Sequence, residues 1–342
     1  MEATEPQVES GGRRPIWAWL LLAMVLGLAA LPFWLDARSE ARTPTGEDLG
    51  QAVAAVRAKF EDGDAVRVEP SWWTLPWQGL VGMGEGTETW PFPALLSSEA
   101  LDPVEALGAR RLFVVAGFGR EPARPELLGG GSEGADEIFR SETVAVALYE
   151  NEPMKRLRTM TKEWERLRVG RRWAPGEELK RCPFKTGKHR CGRDGWMDVA
   201  PEPRVVAQRE VMWLFAHPGP PETELELAWD GLEVVTEKGP TWVYLRVGPS
   251  LEAVRHPEGD DVVVQTLVDG VVVDEVAVAP RHFEMERRAI SLAGRGVGES
   301  GTVGVAFRIK TTDQAWRETL IEADLLDGLP DALRAWATGI VE

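Results

Sequence analysis

Lysine is scarce in this chain: of 39 basic side chains among 342 residues only eight are Lys, at 59, 155, 162, 180, 185, 188, 238 and 310, which leaves 31 Arg. Histidine occurs four times and cysteine twice. The histidines, at 189, 217, 256 and 282, contain no i, i+4 pair able to ligate a metal from one helix face. Two cysteines with one histidine between them fall short of the four ligands of a closed zinc site, so no metal and no cofactor is expected. No Gly-x-Ser-x-Gly elbow is present, which removes the usual support for a serine hydrolase. Gly117-Phe118-Gly119 follows an apolar stretch, but Pro122 stands where a third glycine belongs, so a dinucleotide loop is not expected. No internal repeat is visible. Positive charge is in deficit overall, at a net −16, and this excludes non-specific nucleic-acid binding, which depends on neutralising phosphates.

Against these absences stands one long apolar run, Ile16–Leu35, directly after Arg13 and Arg14. Twenty helical residues span roughly 30 Å, the thickness of a bilayer's hydrocarbon core. No charge interrupts the run, and Trp17, Trp19 and Trp34 lie near its ends, where indoles prefer the headgroup level. A cleaved secretory signal is the rival reading. Its apolar region is typically about 7–15 residues long. The run here continues through Leu31, Phe33, Trp34 and Leu35, so an uncleaved anchor is expected. Arg13 and Arg14 on one side and Arg38 and Arg42 on the other leave the orientation rule tied. The expectation is an N-terminus inside and exported C-terminal domains.

The rest divides by texture. Residues 1–15 read as a cytoplasmic tail, 16–35 as the anchor and 36–46 as a stalk. Residues 47–152 read as a small α/β domain. Leu49, Val53, Val56 and Phe60 form one helical stripe, followed by strands at Ala65–Glu69, Arg111–Ala116 and Thr143–Tyr149, with parallel pairing expected. Residues 153–204 read as a basic connector. Between Lys155 and Arg193 there are fourteen Lys or Arg and only four Glu. Such a belt either docks on the protein's own acidic surface or meets a polyanion such as an acidic glycan or lipid headgroups. From 205 to 326, short β-branched segments recur between Gly, Pro and Asp, as in an antiparallel β-sandwich. Asp269–Gly270 between VVVQTLV and VVVDEVAV is a two-residue hairpin signal. Leu329, Leu333, Trp336 and Ile340 space a C-terminal amphipathic helix over 327–342.

Cys182 and Cys191 enclose eight residues including His189. A structural disulfide is expected, with reduced thiols or a redox pair as alternatives, and it fits an oxidising compartment. Trp72, Trp73 and Trp77 crowd a glycine-rich stretch that also holds Glu85 and Glu88. Indoles stack on sugar rings and paired carboxylates hydrolyse glycosides, so these five are the candidate ligand-binding residues. The plainer reading of the tryptophans is core or interface.

The stretches VVVQTLVDGVVVDEVAVAP and GTVGVAFRIKTTDQAWRETLIEADLL resemble a galactose-binding-like jelly roll over about 205–325, in strand patterning alone. The whole arrangement is similar to single-pass bacterial envelope proteins of myxobacterial type. That resemblance implies an inner-membrane location with periplasmic C-terminal domains, and no particular activity. The expectation is a membrane-tethered binding or scaffolding protein, recognising an envelope glycan or a protein partner. The alternatives are a glycan-processing enzyme with its site between the domains, and a structural subunit of an envelope complex.

Overall fold

The computed structural model describes residues 20–21, 24–25, 42–70, 73, 76, 95–96, 103–124, 134–192, 195–206, 209–233, 240–280, 285–295, 302–312 and 317–341. Most of Ile16–Leu35 therefore lies outside the described residues. Leu20, Leu21, Met24 and Val25 are helical and exposed. Among the described residues no helix is long and apolar enough to cross a membrane.

The first folded unit opens with α1 (Gly46–Lys59). Thr45 caps it in a reciprocal box with Asp48, Glu47 and Asp48 face the positive end of the helix dipole, and Arg57 and Lys59 face the negative end. Ala52 and Val56 are buried beneath it. Five strands follow: β1 (Ala65–Glu69), β2 (Leu95–Leu96), β3 (Arg111–Gly117), β4 (Ala135–Arg140) and β5 (Val144–Glu150), with α2 (Pro103–Gly108) before β3. They pair in the order β2-β1-β3-β5-β4. The expected parallel pairing holds for β2-β1-β3, whereas β3-β5 and β5-β4 are antiparallel. Both faces of β3 are covered, so its residues alternate between two cores. Phe113 and Val115 join α1, while Leu112 and Val114 join Ala106, Ala109 and Tyr149.

The second unit is a β-sandwich. Its strands are β6 (Arg156–Thr159), β7 (Arg168–Arg172), β8 (Lys180–Arg181), β9 (Phe184–Lys185), β10 (Lys188–His189), β11 (Ala200–Val206), β12 (Arg209–Ala216), β13 (Glu224–Glu233), β14 (Thr241–Pro249), β15 (Val262–Val268), β16 (Val271–Val278), β17 (Glu286–Ser291), β18 (Thr302–Lys310), β19 (Thr319–Asp327) and β20 (Gly339–Val341). One sheet runs β11-β12-β19-β14-β17-β20, with β6 also on β19; the other runs β16-β15-β18-β13-β7-β8. The predicted hairpin closes β15 and β16, with Asp269 and Gly270 at φ +48° and +80°, as a tight turn of this hand requires. β18 alternates strictly: Val303, Val305, Phe307 and Ile309 point into the core between the sheets. Each such large apolar side chain stabilises the fold by ~1.5–3 kcal/mol relative to exposure.

Three expectations change. Residues 156–189, expected as a connector, supply β6 and β7 to the two sheets and the short strands β8–β10. In β7, RVGRR sets Arg168 and Arg172 on a charged outer face, where Arg172 pairs with Glu224 and Arg168 with Glu226 and Asp230, while Val169 and Arg171 lie on the other face and are buried. At the C-terminus the helix is only α3 (Asp331–Trp336), and Ile340 belongs to β20, which runs parallel to β17. The boundary expected between 204 and 205 falls inside β11, which pairs antiparallel with β12.

β14 and β19 are buried along their whole length. Their inner side faces the sandwich core and their outer side faces the first unit. Val104 and Leu107 of α2 pack with Trp242, Tyr244, Ala289, Leu326 and Leu333. The Met154 amide donates to the Leu107 carbonyl at 2.7 Å, and Asn151 Nδ2 donates to the Ala109 carbonyl at 2.9 Å.

Candidate functional site

Where the outer face of the six-stranded sheet ends, the strand register aligns Arg172, Glu224, Lys310, Val263 and Ala277 in one row across β7, β13, β18, β15 and β16. The last four of these form the floor of a groove of about 590 Å³. Its walls come from four loops: Pro175 after β7, Glu222 and Thr223 before β13, Gly259–Asp261 before β15, and Thr311 and Thr312 after β18.

Two of these loops share a sequence pattern: His217-Pro218-Gly219 ends in Glu222, and His256-Pro257-Glu258-Gly259 ends in Asp260 and Asp261. Each is held from below by a buried arginine. Arg171, 1% exposed, donates to the His217 carbonyl at 2.9 Å and to that of Pro218. Arg317 donates to the carbonyls of His256, at 3.5 Å, and Glu258. Thr223 Oγ1 adds bonds to Pro218 and Pro220, at 2.9 and 2.7 Å. Gly219 sits at φ +97°, and a Cβ there would lie 2.2 Å from Arg171 Nη1, so only glycine lets the loop close onto the guanidinium. The loop walls are therefore preorganised.

Electrostatics follow from this burial. Desolvation lowers Arg171 to about 10, which still leaves it charged at neutral pH. Burial, with Arg171 and Arg317 adding repulsion, pushes His217 down to about 4. The neutral ring accepts the Gly219 amide at Nδ1, at 3.0 Å. Within the groove Glu224 is matched by Arg172 and Arg308, and Asp260 accepts the Thr312 hydroxyl. Lys310 has no carboxylate within ion-pair distance among the described residues. The groove thus offers carboxylate acceptors, an ammonium donor and hydroxyls over an apolar floor of Val263 and Ala277.

Two indoles flank the same loop. Trp173 is 38% exposed, with the Arg171 guanidinium carbon 5.7 Å from its ring centroid. Trp196 is 37% exposed and stands edge-on to His217, with centroids 4.6 Å apart. Trp213, Trp229 and Trp242 are buried, and Trp164 is partly so.

Of the residues nominated from sequence, Trp72, Trp77, Glu85 and Glu88 lie outside the described residues. Trp73 is 4% exposed inside the first unit's core, edge-on to Phe118 at 5.5 Å and pressed on Gly117, where a Cβ would meet its ring at 2.5 Å. Cys182 and Cys191 are disulfide-bonded and buried in the sandwich core. Sequence reasoning missed the groove and the two tryptophans beside the His217 loop, neither of which lines the groove itself. Trp173 and Trp196 were absorbed into the basic stretch, and the repeated His-Pro…Gly…acid pattern was the available signal. Among the described residues no three His, Cys, Asp or Glu side chains are grouped to hold a metal.

A second polar cluster lies on the outer face of the seven-stranded sheet. Asp324 pairs with Arg246 at 2.6 Å and accepts Thr159 Oγ1 at 2.9 Å. Glu322 accepts the amide and hydroxyl of Thr161, and burial, with the Asp324 charge beside it, holds its carboxyl well above the usual range. Both carboxylates are sealed within the fold.

No protein-family model matches the sequence, and no curated protein matches it. Solved structures similar to it include the CBM51 module of a Clostridium perfringens GH95 enzyme in complex with methyl-galactose, at 9% identity and TM-score 0.26, covering 37% of this chain and 80% of that one. The M60 catalytic domain of Clostridium perfringens ZmpB with its two CBM51 domains aligns at 11% identity and TM-score 0.31, covering 56% of this chain and only 17% of that one. A carbohydrate-binding module of the β-sandwich superfamily, described as promiscuous in specificity, aligns at 12% identity and TM-score 0.31, covering 57% of this chain and 72% of that one.

Proposed function

We propose that this chain is a carbohydrate-recognition protein that binds a glycan across the loop end of its sandwich. One observation carries the reading: two half-exposed indoles, one against His217 and the other against the arginine that holds the His217 loop, lie next to the loop that walls a polar groove. A pyranose ring presents one C–H face and a rim of hydroxyls. The face stacks on an indole, while the hydroxyls donate to carboxylates such as Glu222 and Asp261 and accept from Lys310 and Thr311. Preorganised walls reduce the entropy lost on binding, which suits a weak, exposed ligand of this kind. In this reading the sandwich is a jelly roll of galactose-binding type, and the site lies in its loops, not in the Trp72–Trp77 stretch.

The same proposal includes a tether. Ile16–Leu35 has the length and the end-placed tryptophans of a single-pass inner-membrane anchor, and the Cys182–Cys191 disulfide suits an oxidising periplasm. Affinity electrophoresis of the full chain through gels containing neutral polysaccharides tests the recognition. Retardation by at least one gel, reversed by free sugar, is expected. Release of new reducing ends from that polysaccharide would instead favour the enzyme alternative, and no retardation in any gel would favour a structural subunit.

A further inference from the structure

One edge of β19 changes partner halfway along. β14 pairs with the opposite edge over the full length, Thr319–Asp327. On the edge that remains, β12 takes Thr319, Leu320 and Ile321, and β6 takes Asp324, Leu325 and Leu326. Glu322 and Ala323 fall in the gap between them. The Met160 amide carries the ladder one step past β6 by donating to the Ala323 carbonyl at 2.9 Å. At Thr161 a side chain takes over from the backbone: Glu322 Oε1 accepts the Thr161 amide at 3.2 Å and the Thr161 hydroxyl at 3.1 Å. One carboxyl thus fastens the end of β6 to the sheet, beside Met160, which is buried in the sandwich core.

Glu322 is itself 4% exposed, and its other oxygen, Oε2, is buried with no hydrogen-bond partner. The charged groups facing it are Asp324 on its own strand and Arg246 directly opposite on β14. Arg246 is committed to Asp324 at 2.6 Å, and Arg156 of β6 stands 3.8 Å from the same carboxylate. From β12 comes the Trp213 indole, with its ring centroid 5.5 Å from the Arg246 guanidinium carbon, and not a charge. In the turn after β6, Lys162 is exposed and Glu163 pairs with Arg158 at 3.3 Å. An ionised Glu322 would place a bare charge on buried Oε2 next to a second carboxylate. The neutral acid leaves only a hydroxyl unsatisfied, which costs far less. Burial, with the Asp324 charge adding to it, accordingly holds the carboxyl well above its ordinary value of 4.5.

We propose that Glu322 is a proton-operated latch on the segment that joins the two units. With the carboxyl neutral, Met160 and Thr161 stay docked on β19; when the segment lifts away, Glu322 meets water and gives up one proton. The segment is the passage between the units. It follows Asn151 and Met154, which bond to the end of α2, and it leads into β7, whose Arg171 holds the His217 loop. At or below pH 4.5 the open and closed states are both protonated and the latch does not respond to pH. Above it the open state loses its proton first, so opening becomes easier by about tenfold per pH unit until the closed carboxyl ionises as well. The latch does not depend on the glycan reading.

Hydrogen exchange of the full chain tests it, read by mass spectrometry between pH about 5 and 9 with rates corrected for the intrinsic pH dependence. Peptides covering 156–163 report the latch, and peptides covering 241–249, in β14, report the sheet behind it. In the wild type, protection of 156–163 should fall with rising pH by about tenfold per unit before levelling off, while that of 241–249 changes less. Glu322→Gln keeps an acceptor for Thr161 but has no proton to release, and its 156–163 protection should be flat. Glu322→Leu, which also cannot titrate, should be flat at a lower level. A flat wild-type profile, a fall shared equally by 241–249, or a slope that persists in either variant would each overturn the proposal.

Discussion

Arg171→Met removes the guanidinium that holds the His217–Pro218 corner, and its consequences can be worked from the structure. Two charge-assisted hydrogen bonds to carbonyls are lost. At ~1.5–3 kcal/mol each, that is ~3–6 kcal/mol. Against it stands the relief of burying a cation. Desolvation lowers Arg171 from its usual value to about 10, which corresponds to ~3 kcal/mol of penalty. Methionine keeps most of the packing. The net expectation is a destabilisation of ~0–3 kcal/mol, or up to roughly 10 °C in Tm for a protein of this size class. Function should suffer more than stability, because the two carbonyls lose their only described guanidinium and the wall bearing Glu222 and Thr223 is free to move. Thermal unfolding by circular dichroism, beside affinity electrophoresis in whichever glycan retards the wild type, measures both. An Arg171→Met variant that binds as the wild type does would refute the claim that this arginine preorganises the site.

Other consequences are equally checkable. Gly219→Ala forces a Cβ to 2.2 Å from Arg171 Nη1 at a φ of +97°; a loss of ~1–3 kcal/mol is expected in chemical denaturation, with weakened glycan binding. His217, at about 4 when folded, binds fewer protons than in the unfolded chain between pH 4 and its usual value. Stability should therefore fall as pH drops through that window, by up to ~3 kcal/mol for this group, and His217→Gln should flatten the corresponding part of the Tm–pH curve. Reducing the Cys182–Cys191 bond, which spans a sequence separation of nine, should cost about 2–3 kcal/mol and lower Tm without unfolding the protein at 25 °C.

The strands of the sandwich were largely legible because their apolar residues alternate. Val262–Val268 and Val271–Val278 around Asp269–Gly270 read directly, as did Thr302–Lys310. β7 was not, because RVGRR gives the hydrophobic core only Val169: Arg168 and Arg172 are balanced by carboxylates 50 or more positions away, and Arg171 by the carbonyls of His217 and Pro218. β20 was hidden by a stripe that fits helix spacing but is divided between α3 and a strand parallel to β17. Local periodicity cannot report a partner supplied by another strand. The groove escaped for the same reason. Its walls come from loops near residues 175, 222, 260 and 312 that only the sheet register brings together. The tryptophan cluster at 72–77 attracted attention by density alone, and density does not distinguish a core indole such as Trp73 from a surface one such as Trp173.

The central claim is that a glycan is bound beside Trp173 and Trp196. Affinity electrophoresis of the wild type and of the Trp173→Ala/Trp196→Ala double variant, in the same retarding polysaccharide, tests it most directly. Removing two stacking faces is predicted to cost about 2–3 kcal/mol, which is a loss of roughly 30- to 150-fold in affinity, with Tm shifted only slightly because both rings are partly in solvent. A double variant retarded as strongly as the wild type would contradict the account.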